Sequence, residues 1–151
     1  MNQPEILIVG AGGMGALFGS ILHENGLKVV LYDTNTEHIS AIQQAGLKIE
    51  GYGGDRTIPI AATSNLSELE SAEIIIFQCK SHGTRQAAKA VKPLITQESV
   101  CISFQNGLGN EEVMAEELGE DSVMGGLTAM AGVLLEPGKI RDFSRVPSHI
   151  G

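Results

Sequence analysis

An α/β fold built on a doubly wound, mainly parallel sheet is what this sequence predicts, and three observations carry the prediction. Short, wholly apolar runs recur along the chain, as expected of strands covered on both faces. Between them lie stretches with apolar residues at helical spacing, closed by glycine or proline. The first run leads straight into the glycine-rich turn Gly10-Ala11-Gly12-Gly13-Met14-Gly15. Strands alternating with helices imply parallel pairing through right-handed crossovers.

Ile6-Leu7-Ile8-Val9 is the first predicted strand. Met14, Leu17, Phe18, Ile21 and Leu22 share one face of a helix from about Gly13 to Glu24, which Asn25-Gly26 stops. Lys28 to Tyr32 is the second strand, and a helix from about Thr36 to Ala45 ends at Gly46. Leu47 to Glu50 and Thr57 to Ala62 alternate more weakly around Gly51, Gly53 and Gly54, and read as a strand pair or a hairpin. Ile74 to Phe77 is another buried strand, and the helix after it, Ser81 to Val91, stops near Pro93. Val100 to Phe104 is the next strand and Glu111 to Leu118 the next helix. Beyond Asp121, Val123 to Leu135 and Lys139 to Phe143 flank the turn Glu136-Pro137-Gly138 and look antiparallel. They are expected to extend the sheet as antiparallel strands at its C-terminal edge. With no repeat or linker in view, residues 1–151 read as a single domain.

The composition narrows the function. A chain of 151 residues that is 42% hydrophobic and 19% charged can fill a core. Its net charge of -8 argues against a nucleic-acid partner, which calls for a basic stripe. A phosphate ligand stays open, because helix N-termini bind anions through backbone N–H groups. No apolar run approaches the length of a membrane span, and Met1 to Glu5 lack the basic start of a signal peptide, so a cytoplasmic protein is expected. Cys79 and Cys101 sit in apolar stretches without C-x-x-C spacing and are expected to be buried and reduced. His23, His38 and His149 have no partner at metal-ligand spacing and read as surface or helix-end residues, so no metal is expected.

Gly10 to Gly15 fits G-x-G-x-x-G in the context its mechanism needs, after a strand and at the start of a helix. Gly10 would make the tight turn, Gly12 would let backbone approach a pyrophosphate, and Gly15 would let helix and strand pack closely. Gly10, Ala11, Gly12, Gly13, Met14 and Gly15 are therefore the expected cofactor-binding residues of a Rossmann-type domain. Asp33 ends the second strand, about 20 residues further on, where a carboxylate accepts hydrogen bonds from the adenosine ribose and repels a 2′-phosphate. The first arginine is Arg56, so the residues favour NAD over NADP. Asp33 as a plain helix cap is the competing reading, with Thr34 and Thr36 as further cap candidates.

Two loops at predicted strand ends complete the candidate site. Lys80, in Gln78-Cys79-Lys80-Ser81-His82, places an ammonium where it can meet an anion or polarise a carbonyl. Asn106, in Gln105-Asn106-Gly107-Leu108-Gly109-Asn110-Glu111, offers a donor and an acceptor at the same edge.

The glycine turn, the strand ending in Cys79-Lys80, the Gln105-Asn106-Gly107 loop with Gly109-Asn110-Glu111 after it, Gly125-Gly126-Leu127-Thr128 and the closing Ser148-His149-Ile150-Gly151 together resemble the N-terminal half of ketopantoate reductases (2-dehydropantoate 2-reductases). The resemblance covers nearly the whole chain. It implies an oxidoreductase that reduces ketopantoate to pantoate with NADPH, on the route to pantothenate and coenzyme A. It also implies that Lys80 and Asn106 lie beside nicotinamide and substrate, with Thr128 lining the same cleft. Asp33 departs from the family, which typically carries a basic residue nearby for the NADP phosphate. The family's helical C-terminal domain, with its general-acid lysine and substrate-holding groups, is absent from this sequence. The chain, whether truncated or a natural fragment, is accordingly expected to bind cofactor with little or no reductase activity, and to associate as a homodimer through its uncovered face. Competing readings are a reductase of another 2-keto acid, a single-domain NAD-sensing regulatory module, and an FAD enzyme.

Overall fold

The computed structural model describes residues 2–151. Along the chain run β1 (Ile6–Val9), α1 (Gly13–Glu24), β2 (Val29–Tyr32), α2 (Thr36–Ala45), β3 (Leu47–Gly51), β4 (Arg56–Ile58), β5 (Ala61–Thr63), β6 (Ile74–Phe77), α3 (Thr84–Val91), β7 (Val100–Ser103), α4 (Asn110–Leu118), β8 (Val123–Leu127), β9 (Ala131–Glu136), β10 (Lys139–Ser144) and β11 (His149–Ile150).

The central sheet has seven strands in the order β11-β8-β7-β6-β1-β2-β5. Every pairing in it is parallel except that of β11 with β8. Because side chains alternate across a strand, each apolar run fills two cores at once. Ile6, Ile8, Leu31 and Ile76 face Leu17, Phe18, Ile39 and Ile42, on the side of α1 and α2. Leu7, Val9, Ile75, Phe77 and Cys101 face Ala88, Val91 and Met114, on the side of α3 and α4.

Two expectations need correction. The stretch Thr57 to Ala62 is not one strand. Arg56–Ile58 pairs antiparallel with β3, while Ala61–Thr63 pairs parallel with β2 in the other sheet. Pro59 lies between them, and a residue without an N–H interrupts a ladder. Nor do all the late strands extend the central sheet. β8 joins it parallel to β7, and β11 forms the antiparallel edge. β9 and β10 leave it and build a four-stranded sheet with the earlier hairpin, in the order β4-β3-β10-β9. Burial accounts for the choice. Ile49 and Ile140 stand opposite each other in the parallel β3–β10 pair and are 1% and 0% exposed, packed into the core beside Ile42 and Leu47. At its far side this second sheet touches α1, where Gly13 and Gly132 approach too closely to leave room for a Cβ on either.

Candidate functional site

β1 lies between β2 and β6, so the chain leaves β1 in one direction and returns, after β5, on its other side. The carboxyl ends of strands at such a reversal form the crevice where doubly wound sheets bind ligands.

Gly10 turns there with φ +97, its N–H donating to the Tyr32 carbonyl at 2.9 Å. A Cβ on Gly10 would lie 2.5 Å from the Cys79 nitrogen, so both backbone angle and close approach require glycine. Gly12 differs. Its φ is an ordinary -64 and a Cβ there would meet nothing within 4 Å. No internal packing demands glycine at this point, and the open space above it is where a ligand would arrive. No side chain caps the N-terminus of α1, and its first turn holds no acid, so its leading N–H groups are left for an anion.

Ala11 is completely buried, and side chains hold both of its backbone groups. Its N–H donates to Asp33 Oδ2 at 2.8 Å, and its carbonyl accepts from His38 Nε2 at 2.7 Å. The other oxygen of Asp33, Oδ1, accepts from the Asn35 N–H at 2.8 Å. Asn35, rather than Asp33, Thr34 or Thr36, caps α2, accepting from the His38 N–H at 3.1 Å. His38 does lie at a helix end, in the first turn of α2, but it is not a surface residue, being 1% exposed. Its Nδ1 accepts from the Gly138 N–H at 2.9 Å, which leaves the ring proton on Nε2 for Ala11. One imidazole thus ties the glycine turn to the β9–β10 hairpin. Arg56, the first arginine, pairs with Glu24 at 2.6 Å.

In front of the turn lies a cleft of about 480 Å³. Among the residues singled out in the sequence, Gly12, Gly13, Met14, Lys80, Asn106 and Thr128 line it. Gly10, Ala11, Gly15 and Asp33 do not. The first two and Asp33 shape the turn from behind, and Gly15 packs against the Gly10 carbonyl. Lys80 is exposed and has no ion pair among the described residues. Asn106 is exposed, with its carbonyl accepting from Ser81 Oγ at 2.9 Å and Asn110 Nδ2 at 3.0 Å. Thr128 Oγ1 lies 2.9 Å from Ser148 Oγ and accepts from the Met130 N–H at 3.1 Å.

Sequence reasoning missed several lining residues. Phe104, Met130 and Gly132 to Leu134 supply apolar wall, and Gln78 carries a buried Nε2 without a partner among the described residues. Residues on β9 gave no signal because only the second sheet brings them over α1. Cys79 also lines the cleft and is half-buried. Burial, reinforced by the Asp33 charge, pushes its thiol up and keeps it protonated. Cys101 is wholly buried, as expected, and burial raises its thiol to about 11. Among the described residues no three histidine, cysteine or acidic side chains cluster to hold a metal, and no helix is long and apolar enough to cross a membrane.

Comparison with known proteins finds relatives that match nearly the whole chain. A family model described as ketopantoate reductase PanE/ApbA matches residues 6–151. The 2-dehydropantoate 2-reductase of Pyrococcus abyssi is 36% identical over 147 residues, covering 97% of this chain and 47% of the relative. That of Lactococcus lactis is 31% identical over 141 residues, covering 92% and 45%. The chain therefore spans about half the length of the curated relatives it matches. Among solved structures, a PanE/ApbA family ketopantoate reductase from Ralstonia eutropha superposes with a TM-score of 0.89 at 30% identity, covering 96% of this chain and 48% of that one. A D-mandelate dehydrogenase in ternary complex with NADH and anilino(oxo)acetate gives 0.85 at 25% identity, covering 96% and 46%.

Proposed function

The chain belongs to the PanE/ApbA ketopantoate reductase family, and on that premise we propose that it is the nicotinamide-dinucleotide-binding part of a 2-dehydropantoate 2-reductase, which reduces ketopantoate to pantoate. The observation that carries this reading is the meeting of Gly12 and Gly13 with Lys80 and Asn106 in one cleft. A phosphate-binding turn alone would suit a sensing module as well. The ammonium and amide at the far side suit a site that also holds a reacting carbonyl.

The bound cofactor supplies the hydride. The uncapped N–H groups at the start of α1 receive the pyrophosphate. Asp33 keeps lone pairs free beside its two backbone bonds and accepts from the adenosine ribose. Lys80 draws the substrate's carboxylate or keto oxygen toward the cleft, and Asn106 and Thr128 fix the groups beside it. The remaining half of such a reductase contributes the general acid and the groups that hold the substrate. This chain binds cofactor and turns over little or no keto acid.

Asp33 favours NADH, because Thr34, Asn35, Thr36 and Glu37 after it offer no cation for a 2′-phosphate. The likeness to a D-mandelate dehydrogenase bound to NADH supports a second reading, an NADH-dependent reductase of a different 2-keto acid.

Calorimetric titration with NADH and NADPH, beside an Asp33→Asn variant, tests the cofactor assignment. Asparagine retains an acceptor for Ala11 and loses the charge, so the preference for NADH should narrow about tenfold. Tighter binding of NADPH by the unsubstituted chain would refute the role given to Asp33. Turnover of ketopantoate by this chain at about 1 per second or faster would refute the need for a second half.

A further inference from the structure

The two loops that carry Lys80 and Asn106 are braced against each other by a chain of side-chain hydrogen bonds. Gln105 Nε2 spends both protons, donating to the Cys79 carbonyl at 2.8 Å and to Thr84 Oγ1 at 2.8 Å. Its Oε1 accepts from Ser103 Oγ at 3.2 Å. Thr84 Oγ1 passes its own proton to Asn110 Oδ1 at 3.0 Å, and Asn110 Nδ2 donates to the Asn106 carbonyl at 3.0 Å. Ser81 Oγ donates to that same carbonyl at 2.9 Å. Lys80 is therefore pinned through the peptide before it and the residue after it. Asn106 is pinned through the residue before it and its own carbonyl. Thr84 and Asn110 are 1% and 3% exposed, so water does not compete for the bond between them. The glycine turn takes no part in the network.

We infer that Gln105 is a positioning residue that sets the spacing of Lys80 and Asn106, and through them determines how firmly the nicotinamide end of the dinucleotide is held. The inference rests on the cofactor reading given above. Its consequence is a division of labour. Asp33 and His38 shape the turn that takes the adenosine and diphosphate, and the Gln105 brace shapes the other end. Damage to the brace then costs affinity at one end only.

The test titrates the 151-residue chain with whichever of NADH and NADPH it binds more tightly, and with the matching ADP-ribose, which lacks nicotinamide. Gln105→Leu keeps the volume of the side chain and removes its donors and acceptor. It should weaken the full dinucleotide about tenfold and leave ADP-ribose within about twofold, since one end of the ligand loses its fixed partners. Nicotinamide fluorescence of the bound reduced cofactor should shift toward its value in free solution. Thr84→Val should follow Gln105→Leu, and Thr84→Ser, which keeps the hydroxyl, should bind as the parent does. That pair carries the test if Gln105→Leu does not fold. Equal losses for dinucleotide and ADP-ribose, or no loss for either, would overturn the inference while leaving the cofactor site standing. An unsubstituted chain that binds neither ligand would overturn the cofactor reading itself, and this inference with it.

Discussion

Ala11 has almost no side chain, yet two others exist to hold it. The bonds to Asp33 and His38 fix the two peptide planes that flank Ala11 inside the glycine turn, so this part of the turn has its shape before any ligand arrives. Replacing His38 with leucine strands the Ala11 carbonyl and the Gly138 N–H in a buried place. The expected cost is about 2–4 kcal/mol in urea unfolding, with weaker binding of dinucleotide and ADP-ribose alike. The thiols make a second prediction. Cys79 lines the cleft while Cys101 is sealed in the core, so iodoacetamide at neutral pH should label Cys79 slowly and Cys101 only after unfolding, as read by mass spectrometry. Cys101 also gives a pH dependence of definite sign. Its thiol ionises near 9.0 when unfolded and at about 11 when folded. The unfolded chain loses the proton first, so the stabilisation is present below pH 9 and is lost as the pH rises toward 11. Unfolding curves at pH 7 and 10 should show a smaller decline in Cys101→Ala. The placement of the glycine pattern, Asp33, Lys80 and Asn106 just past strand ends was legible in the sequence, because each follows its strand at a fixed, local distance. His38 was not, because its partner Gly138 lies 100 residues away. Its place on the same helical face as Ile39 and Ile42 was the one available signal.

At the scale of elements, period-two and period-3.6 patterns located the helices and the buried strands to within a few residues, because each is a local consequence of where apolar side chains must go. Partnership between strands was less legible. A run such as Lys139 to Ser144 shows that it has one buried face, and Ile140 and Asp142 are indeed buried, yet nothing within it names β3 as its neighbour. The second sheet is also fastened to α1 by charge. Glu24, near the end of α1, pairs with Arg56 of β4 at 2.6 Å and lies 3.8 Å from Arg145 just beyond β10. The hydrogen bond from Arg56 holds the Glu24 carboxyl below its usual range. Its contribution is present above pH 4.5 and lost as the pH falls through the lowered value. Glu24→Gln should therefore cost about 0.5–1 kcal/mol at pH 7 and progressively less in acid, measured by urea unfolding across that range.

For the molecule as a whole, several large apolar side chains are left uncovered. Leu108 at the tip of the Asn106 loop is fully exposed, and Leu127, Leu134, Leu135 and Ile150 are between 37% and 77% exposed. Apolar side chains left in water favour association where they meet in one patch. Sedimentation should show dimers that grow with concentration, and a strict monomer at high concentration would count against it. The parallel pairing of β3 with β10 has another consequence, in time rather than space. A ribosome delivers residues 47–51 long before residues 139–144, so the second sheet waits for almost the entire chain. The imidazole of His38 waits with it for Gly138. Pairing so distant in sequence closes late during folding. In refolding followed by stopped flow, far-ultraviolet ellipticity should recover first, and competence to bind dinucleotide should lag until the final hairpin docks.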